Sequence, residues 1–117
     1  MPVPVLVIVC HIFAKAENVD HVKNILTALI EPTKKEEGCI RIRLLEDIAD
    51  KTHFTFISQW ESDEVYENYL QALYIAKAGE DLKNELAEVA DVKKYKYIQH
   101  PEKKEEAKNS SGRCTLL

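Results

Sequence analysis

Histidines are the side chains of this sequence best suited to move a proton near neutral pH. His11 lies in an apolar run, residues 3–13, where its imidazole could be a base at a pocket wall, lie at a dimer interface, or remain a satisfied buried group. His53 falls on the strand face opposite Trp60 and is predicted at the surface. No two histidines have the i, i+4 spacing of a helical metal site, so no metal is predicted.

The segments that carry these residues alternate between the hydrophobic period of a strand and that of a helix. Residues 3–14 are β-rich and apolar on both faces, which predicts a central strand covered on both sides. Residues 18–35 change to a helical period, with Asn18 as a plausible N-cap. Pro32 lies near the end of that pattern, where it is expected to kink or stop the helix.

Two alternating strands follow the first helix. In the first of them, Arg41 and Arg43 share one face, where they could clamp an anion or be solvated or paired with glutamates. In the second, one face consists mainly of aromatic residues: Phe54, Phe56, Ser58 and Trp60.

The second half of the chain repeats the helix–strand order. Ser62 is predicted to cap a short helix, and Gly79 interrupts the helical stretch after it, whose core positions are Leu82, Leu86 and Val89. A last strand is expected at about residues 92–98. The order β-α-β-β-α-β predicts an α+β, ferredoxin-like fold with an antiparallel sheet. Because helices cover only one sheet face, we expect a homodimer that packs through the other.

The composition of the chain limits its possible domain organisation and its possible partners. Residues 1–98 carry the core pattern, whereas residues 99–117 are polar and are predicted to form a flexible tail. The net charge of −4 does not favour nucleic-acid binding. Three widely spaced cysteines match neither a disulfide framework nor a zinc motif, so a cytoplasmic, reducing location is expected.

The turn Glu37-Gly38-Cys39, followed by two strands that close on Trp60, resembles the antibiotic biosynthesis monooxygenase family, also called the dimeric α+β barrel family. The resemblance covers about residues 3–98. It implies a barrel of two sheets and an active site between the sheet and the helices. It also implies oxygenation of a small, flat phenolic or quinol-like molecule without a cofactor, because such a substrate can itself pass an electron to oxygen.

The polar pocket residues of that family are replaced in this chain. Ile42, Ser58, Tyr69 and Tyr74 stand where the family pattern has Tyr, Glu, His and His. Neither the His nor the Asn of the haem-degrading relatives is present, so no cofactor is expected. The resemblance therefore implies an aromatic substrate-binding wall, unless these residues are simply core aromatics. Its members would be Trp60, Tyr69, Tyr74, Phe54 and Phe56, and His11 would be the best remaining catalytic base.

The sequence ends in Cys114-Thr115-Leu116-Leu117, which matches a C-a-a-X prenylation signature. Lipidation of Cys114 in a eukaryotic or host cell would bring the protein to membranes. Two hypotheses follow. The first is a monooxygenase-like enzyme. The second is a non-catalytic dimeric barrel that is prenylated, membrane-targeted and has a binding or regulatory role.

Overall fold

The computed structural model describes residues 5–98, and the predicted tail with Cys114 lies outside this range, so its lipidation stays a prediction. Four strands and four α-helices follow one another along these residues. They are β1 (Leu6–Phe13), α1 (Val19–Ala28), α2 (Ile30–Lys34), β2 (Cys39–Glu46), β3 (His53–Trp60), α3 (Asp63–Tyr69), α4 (Leu73–Leu82) and β4 (Asp91–Lys96).

The four strands form one antiparallel sheet in the order β2-β3-β1-β4. This order and the helices after β1 and β3 confirm the predicted α+β, ferredoxin-like fold. The first predicted helical region is divided into two helices, the second consists of a short helix and a further helix as expected, and β4 begins and ends slightly earlier than expected.

β1 is central in the sheet, as its apolar sequence predicts, but only one of its faces is covered. Ile8 and Ile12 point towards the helices and are buried. Val7 and Val9 point to the other side and are only half-buried. Within a single chain, therefore, only the helix side of β1 is covered, and the chain alone does not meet the expectation that both faces are covered. We call the helix-free side, which carries Val7, Val9, His11 and Phe13, the open face.

The first helical region breaks before Pro32 and not at it. α1 ends at Ala28, and α2 begins at Ile30 with Pro32 as its third residue. A proline ring inside a helix clashes with the carbonyl four residues earlier, which here belongs to Ala28. The proline therefore sets the break one turn upstream of its own position. Asn18 occupies the N-cap position of α1 without a side-chain capping hydrogen bond.

The second helical region differs more from its prediction. Ser62 caps α3 by accepting a 3.3 Å hydrogen bond from the backbone N–H of Val65. Gly79 lies inside α4 and does not interrupt it, and α4 ends at Leu82. Val89 lies beyond this helix and is 89% exposed, so its predicted place in the core is wrong.

Gly38 makes the turn into β2 with φ +88°, the only positive φ among the described residues. A β-carbon at this position would lie 2.6 Å from Cγ2 of Val65 on α3. The glycine thus permits both the left-handed backbone and the close packing of α3 against the turn.

Candidate functional site

A cavity of about 300 Å³ lies between the sheet and the helices, and we call it the sheet–helix pocket. Alternate residues of the strands form its floor, because every second side chain of a strand points to the same face. The helical side comes from α3 and from one stripe of α4 at i, i+3, i+4, i+7 spacing. The main lining residues are Ile8, Cys10, Ile42, Phe56, Ser58, Tyr66, Tyr69, Leu70, Ile75, Ala78, Gly79 and Leu82.

Few polar side-chain atoms reach this pocket, and two of them already have hydrogen-bond partners. The Ser58 hydroxyl accepts a 2.9 Å hydrogen bond from the indole N–H of Trp60. The Tyr69 hydroxyl lies 3.0 Å from that of Thr33, which is fully buried on α2. The pocket therefore offers flat apolar surface and a small number of hydroxyl groups to a ligand.

The ionisable groups of the pocket are held in their neutral forms. Burial raises the pKa of the Cys10 thiol to about 11, and the nearby charge of Asp91 acts in the same direction. Burial also raises the pKa of Tyr66 to about 12 and raises that of Tyr69. Among the described residues, no carboxylate or imidazole lines this pocket. It contains hydrogen-bond donors but no base of ordinary strength at neutral pH.

The structure brings together only part of the predicted aromatic wall. Tyr69 and Phe56 line the pocket. Trp60 and Phe54 lie in the core behind its floor, at 0% and 1% exposure. The Trp60 ring is 4.6 Å from that of Tyr69, centroid to centroid, so the indole supports the wall without forming its surface.

Tyr74 lies outside the sheet–helix pocket. Its ring lines a groove of about 390 Å³ between α1 and α4. Its hydroxyl donates a hydrogen bond to the carboxylate of Glu36. Burial, and then this carboxylate, raise the pKa of Tyr74.

Two pocket residues were missed by the sequence analysis as site residues. Cys10 alternates with Ile8 and Ile12, a period that places it on the same covered face of β1. Tyr66 precedes Tyr69 by three residues on α3, and that spacing puts both rings on one side of the helix. Both signals were present in the sequence.

His11 lies on the open face of the sheet, away from the pocket. Its Nδ1 is 2.9 Å from Nε2 of His53, and Nδ1 of His53 is 2.9 Å from a carboxylate oxygen of Asp47. His11 thus has no direct access to a molecule in the sheet–helix pocket. His53 is not a free surface residue as predicted, because its side chain is only 19% exposed and is bonded on both sides.

The part of the chain that the structure describes contains no group of three His, Cys, Asp or Glu side chains that could hold a metal ion. Across the same residues, no helix is long and apolar enough to span a membrane.

Solved structures share this fold over most of the chain. The protein PA3566 from Pseudomonas aeruginosa has a TM-score of 0.78 at 22% identity, covering 85% of this chain and 98% of that one. The crystal structure of an antibiotic biosynthesis monooxygenase has a TM-score of 0.77 at 21% identity, covering 80% and 99%. At these identities the likeness shows the fold alone.

Sequence comparison finds both a relative and a family. The Synechocystis protein sll1783 is 31% identical over 67 residues, which are 57% of this chain and 46% of that protein. The chain thus spans about half the length of this curated relative. The family model for antibiotic biosynthesis monooxygenase matches residues 5–81, from β1 into α4. This chain therefore belongs to the antibiotic biosynthesis monooxygenase family.

Proposed function

We propose that the protein binds a small, flat, phenolic or quinol-like molecule in the sheet–helix pocket and oxygenates it without a cofactor. The observation that carries this proposal is the pocket itself. It measures about 300 Å³, and the rings of Phe56, Tyr66 and Tyr69 contribute to its lining. Pockets for small molecules begin at about this volume and combine apolar walls with few polar groups.

In this proposal the protein supplies orientation and exclusion of water. The neutral hydroxyls of Tyr66 and Tyr69 can donate hydrogen bonds to an oxygen of the bound molecule, because burial keeps both phenols protonated. An ionised electron-rich ring can pass an electron to O2, and in a balanced monooxygenation one oxygen atom enters the product while the other leaves as water with two hydrogens of the quinol. Its proton has to leave through the pocket mouth to solvent, because no described base lines the pocket.

The lack of a base favours a second candidate function, in which the protein binds the same class of molecule but does not convert it. Both candidates need the pocket, and only the first consumes oxygen. Binding and oxygen uptake therefore have to be measured on the same preparation.

The fluorescence of Trp60 provides the binding signal, because Trp60 is the only tryptophan of the sequence and its ring lies against that of Tyr69. A ligand bound beside Tyr69 should quench this fluorescence. We would titrate the protein with 1,4-naphthohydroquinone under nitrogen. Naphthalene is the control, because it has the same flat ring system but no hydroxyl groups. Oxygen uptake would then be recorded against the autoxidation of the quinol alone.

The matched variants are at Gly79, which lines the pocket and where a β-carbon would have no heavy atom within 4 Å. Gly79→Phe should fill the cavity and abolish quenching, whereas Gly79→Ala should retain it. Quenching with oxygen uptake above autoxidation supports the enzyme. Quenching without such uptake supports the binding module. No quenching by either compound overturns both.

We also propose that a second copy of this chain covers the open face. Neighbouring strands place apolar residues at its centre, namely Val7, Val9 and Ile57, and the large side chains of Leu45 and Tyr95 are about half exposed there. A face that is complementary to itself closes as a two-fold dimer.

Sedimentation velocity should give a dimer for the wild type and a monomer for Ile57→Lys. Thr27→Lys, on the exposed side of α1, is the control and should remain dimeric. A monomeric wild type would overturn this proposal.

A further inference from the structure

Three side chains on the open face form a hydrogen-bonded relay that the proposed pocket chemistry does not use. Asp47 follows β2 in the loop, His53 begins β3, and His11 lies on β1. The distances are 2.9 Å from Asp47 Oδ2 to His53 Nδ1 and 2.9 Å from His53 Nε2 to His11 Nδ1. The hydroxyl of Thr55 lies 3.1 Å from His11 Nδ1 and 3.3 Å from His53 Nε2. The stacked ring of Phe13, at 4.5 Å, holds the His53 ring in place.

These contacts fix the protons of both rings when they are neutral. An ionised carboxylate only accepts hydrogen bonds, so Nδ1 of His53 carries hydrogen and donates to Asp47. Nε2 of His53 is then an acceptor, and Nδ1 of His11 donates to it. The remaining nitrogen, Nε2 of His11, carries a bare lone pair.

One additional proton reverses this pattern. If His53 is protonated on both nitrogens, Nδ1 of His11 has to accept from it, and Nε2 of His11 becomes an N–H donor. A single protonation therefore changes the outermost nitrogen from acceptor to donor. Imidazole is the side chain best suited to gain or lose a proton near neutral pH.

The charges around the relay decide the direction of its effect. Asp47 and Asp50 lie at the loop, and Asp91 is opposite His11 on β4. The cations of the open face are Arg41, Arg43 and Lys93, of which Lys93 is paired with Asp91 at 3.3 Å. Neither arginine lies within salt-bridge distance of a carboxylate of the described residues. These three carboxylates balance the three cations, so one further proton leaves each open face with a net positive charge.

We propose that association of two chains through the open face is controlled by protonation of the Asp47–His53–His11 relay, with the neutral relay favouring the dimer. This rests on the dimer proposed above. Once protonated, two identical faces bring the same net positive charge together, so each added proton increases their repulsion. The dimer should bind protons more weakly than the free chains, and its dissociation constant should rise as the pH falls.

The test is the dissociation constant of the dimer by sedimentation velocity between about pH 8 and pH 5.5, across the imidazole range. We expect an increase of at least about tenfold for the wild type, because two relays titrate in each dimer. The double variant His11→Asn/His53→Asn removes both titrating rings, and its dissociation constant should not change with pH. His21→Asn removes an exposed histidine of α1 and should retain the wild-type response.

A second measurement examines the relay itself. Long-range ¹H–¹⁵N spectra at about pH 8, above the imidazole range, should show His11 protonated on Nδ1 and bare on Nε2. If His11 is instead protonated on Nε2 and bare on Nδ1, the proposed directions of the hydrogen bonds in the relay are wrong. A dimer whose affinity is independent of pH, or tighter in acid, overturns the switch and leaves the dimer intact. A chain that is monomeric at every pH overturns both proposals together.

Discussion

The indole N–H of Trp60 donates a 2.9 Å hydrogen bond to the hydroxyl of Ser58, two residues earlier on the same face of β3. Both residues are buried, at 0% and 6% exposure. The serine stands where the family pattern has a glutamate. Its hydroxyl keeps the polar atom of the largest core residue satisfied, and it replaces a charged group of the pocket with a neutral one.

Ser58→Ala should destabilise the fold by about 1–3 kcal/mol, because it leaves the buried Trp60 N–H without an acceptor. Ser58→Thr retains the hydroxyl and should lose less stability than Ser58→Ala. Urea denaturation followed by the fluorescence of Trp60 measures both free energies of unfolding. Equal midpoints for Ser58→Ala and the wild type would show that the hydrogen bond does not contribute.

Gly38→Ala should be among the most damaging small substitutions in the chain. It forces a residue with a β-carbon to φ +88° and places that carbon 2.6 Å from the Val65 side chain. The backbone strain alone costs about 1–3 kcal/mol. Val65→Ala added to Gly38→Ala should restore only a small part of the loss, because it removes the two γ-methyl contacts but leaves the β-carbon of residue 65 at 2.8 Å.

Gly79→Ala is the opposite case and serves as its control. The new methyl group meets open space within α4, and alanine favours a helix over glycine by up to about 1 kcal/mol. Thermal unfolding should therefore rank Gly79→Ala at or above the wild type and Gly38→Ala well below it. The reverse order would contradict both assignments.

Cys10 should react slowly with iodoacetamide in the folded protein. A pKa of about 11 in place of 9.0 leaves about 100-fold less thiolate at pH 8, and the thiolate is the reactive form. Peptide mass spectrometry of samples alkylated with and without urea gives the ratio of the two rates. A folded-state rate equal to the unfolded one would mean that the thiol is not buried.

Asp47 should contribute to stability in weak acid and lose that contribution at low pH. The hydrogen bond from His53, and then that from the backbone N–H of Ala49, hold the pKa of Asp47 below its usual range. A carboxyl with a lowered folded-state pKa stabilises the protein above its unfolded pKa of about 3.9, and the effect disappears as the pH falls through the folded value. His53→Leu should raise the pKa of Asp47 in a ¹³C carboxyl titration, and His53→Asn, which keeps a donor, should raise it less. An unchanged value in His53→Leu would refute the contact.

Alternation and helical periodicity were enough to predict the fold, because every second side chain of a strand points to the same face of the sheet. They could not predict the surroundings of His53. Its partner Asp47 is six residues away around a loop, and its partner His11 is brought to it only by the pairing of β1 with β3. Sheet register depends on contacts between distant segments, which a local pattern does not contain.

The candidate site was predicted less completely, for a related reason. Phe54, Phe56 and Trp60 were correctly placed on one face of β3, but their depth depends on where the helices lie above them. Tyr74 was assigned to the same wall, yet the chain turns between α3 and α4 and carries this ring to another groove. The end of α4 at Leu82 likewise decides that Val89 is exposed.

β4 has a consequence for aggregation. It lies at one end of the sheet, all six of its residues are exposed, and three of them are lysines: Lys93, Lys94 and Lys96. Two such edges approaching each other would place like charges side by side, and lysines on an edge strand discourage the addition of further strands. The lysines of β4 should therefore oppose growth of the sheet into fibrils at this edge.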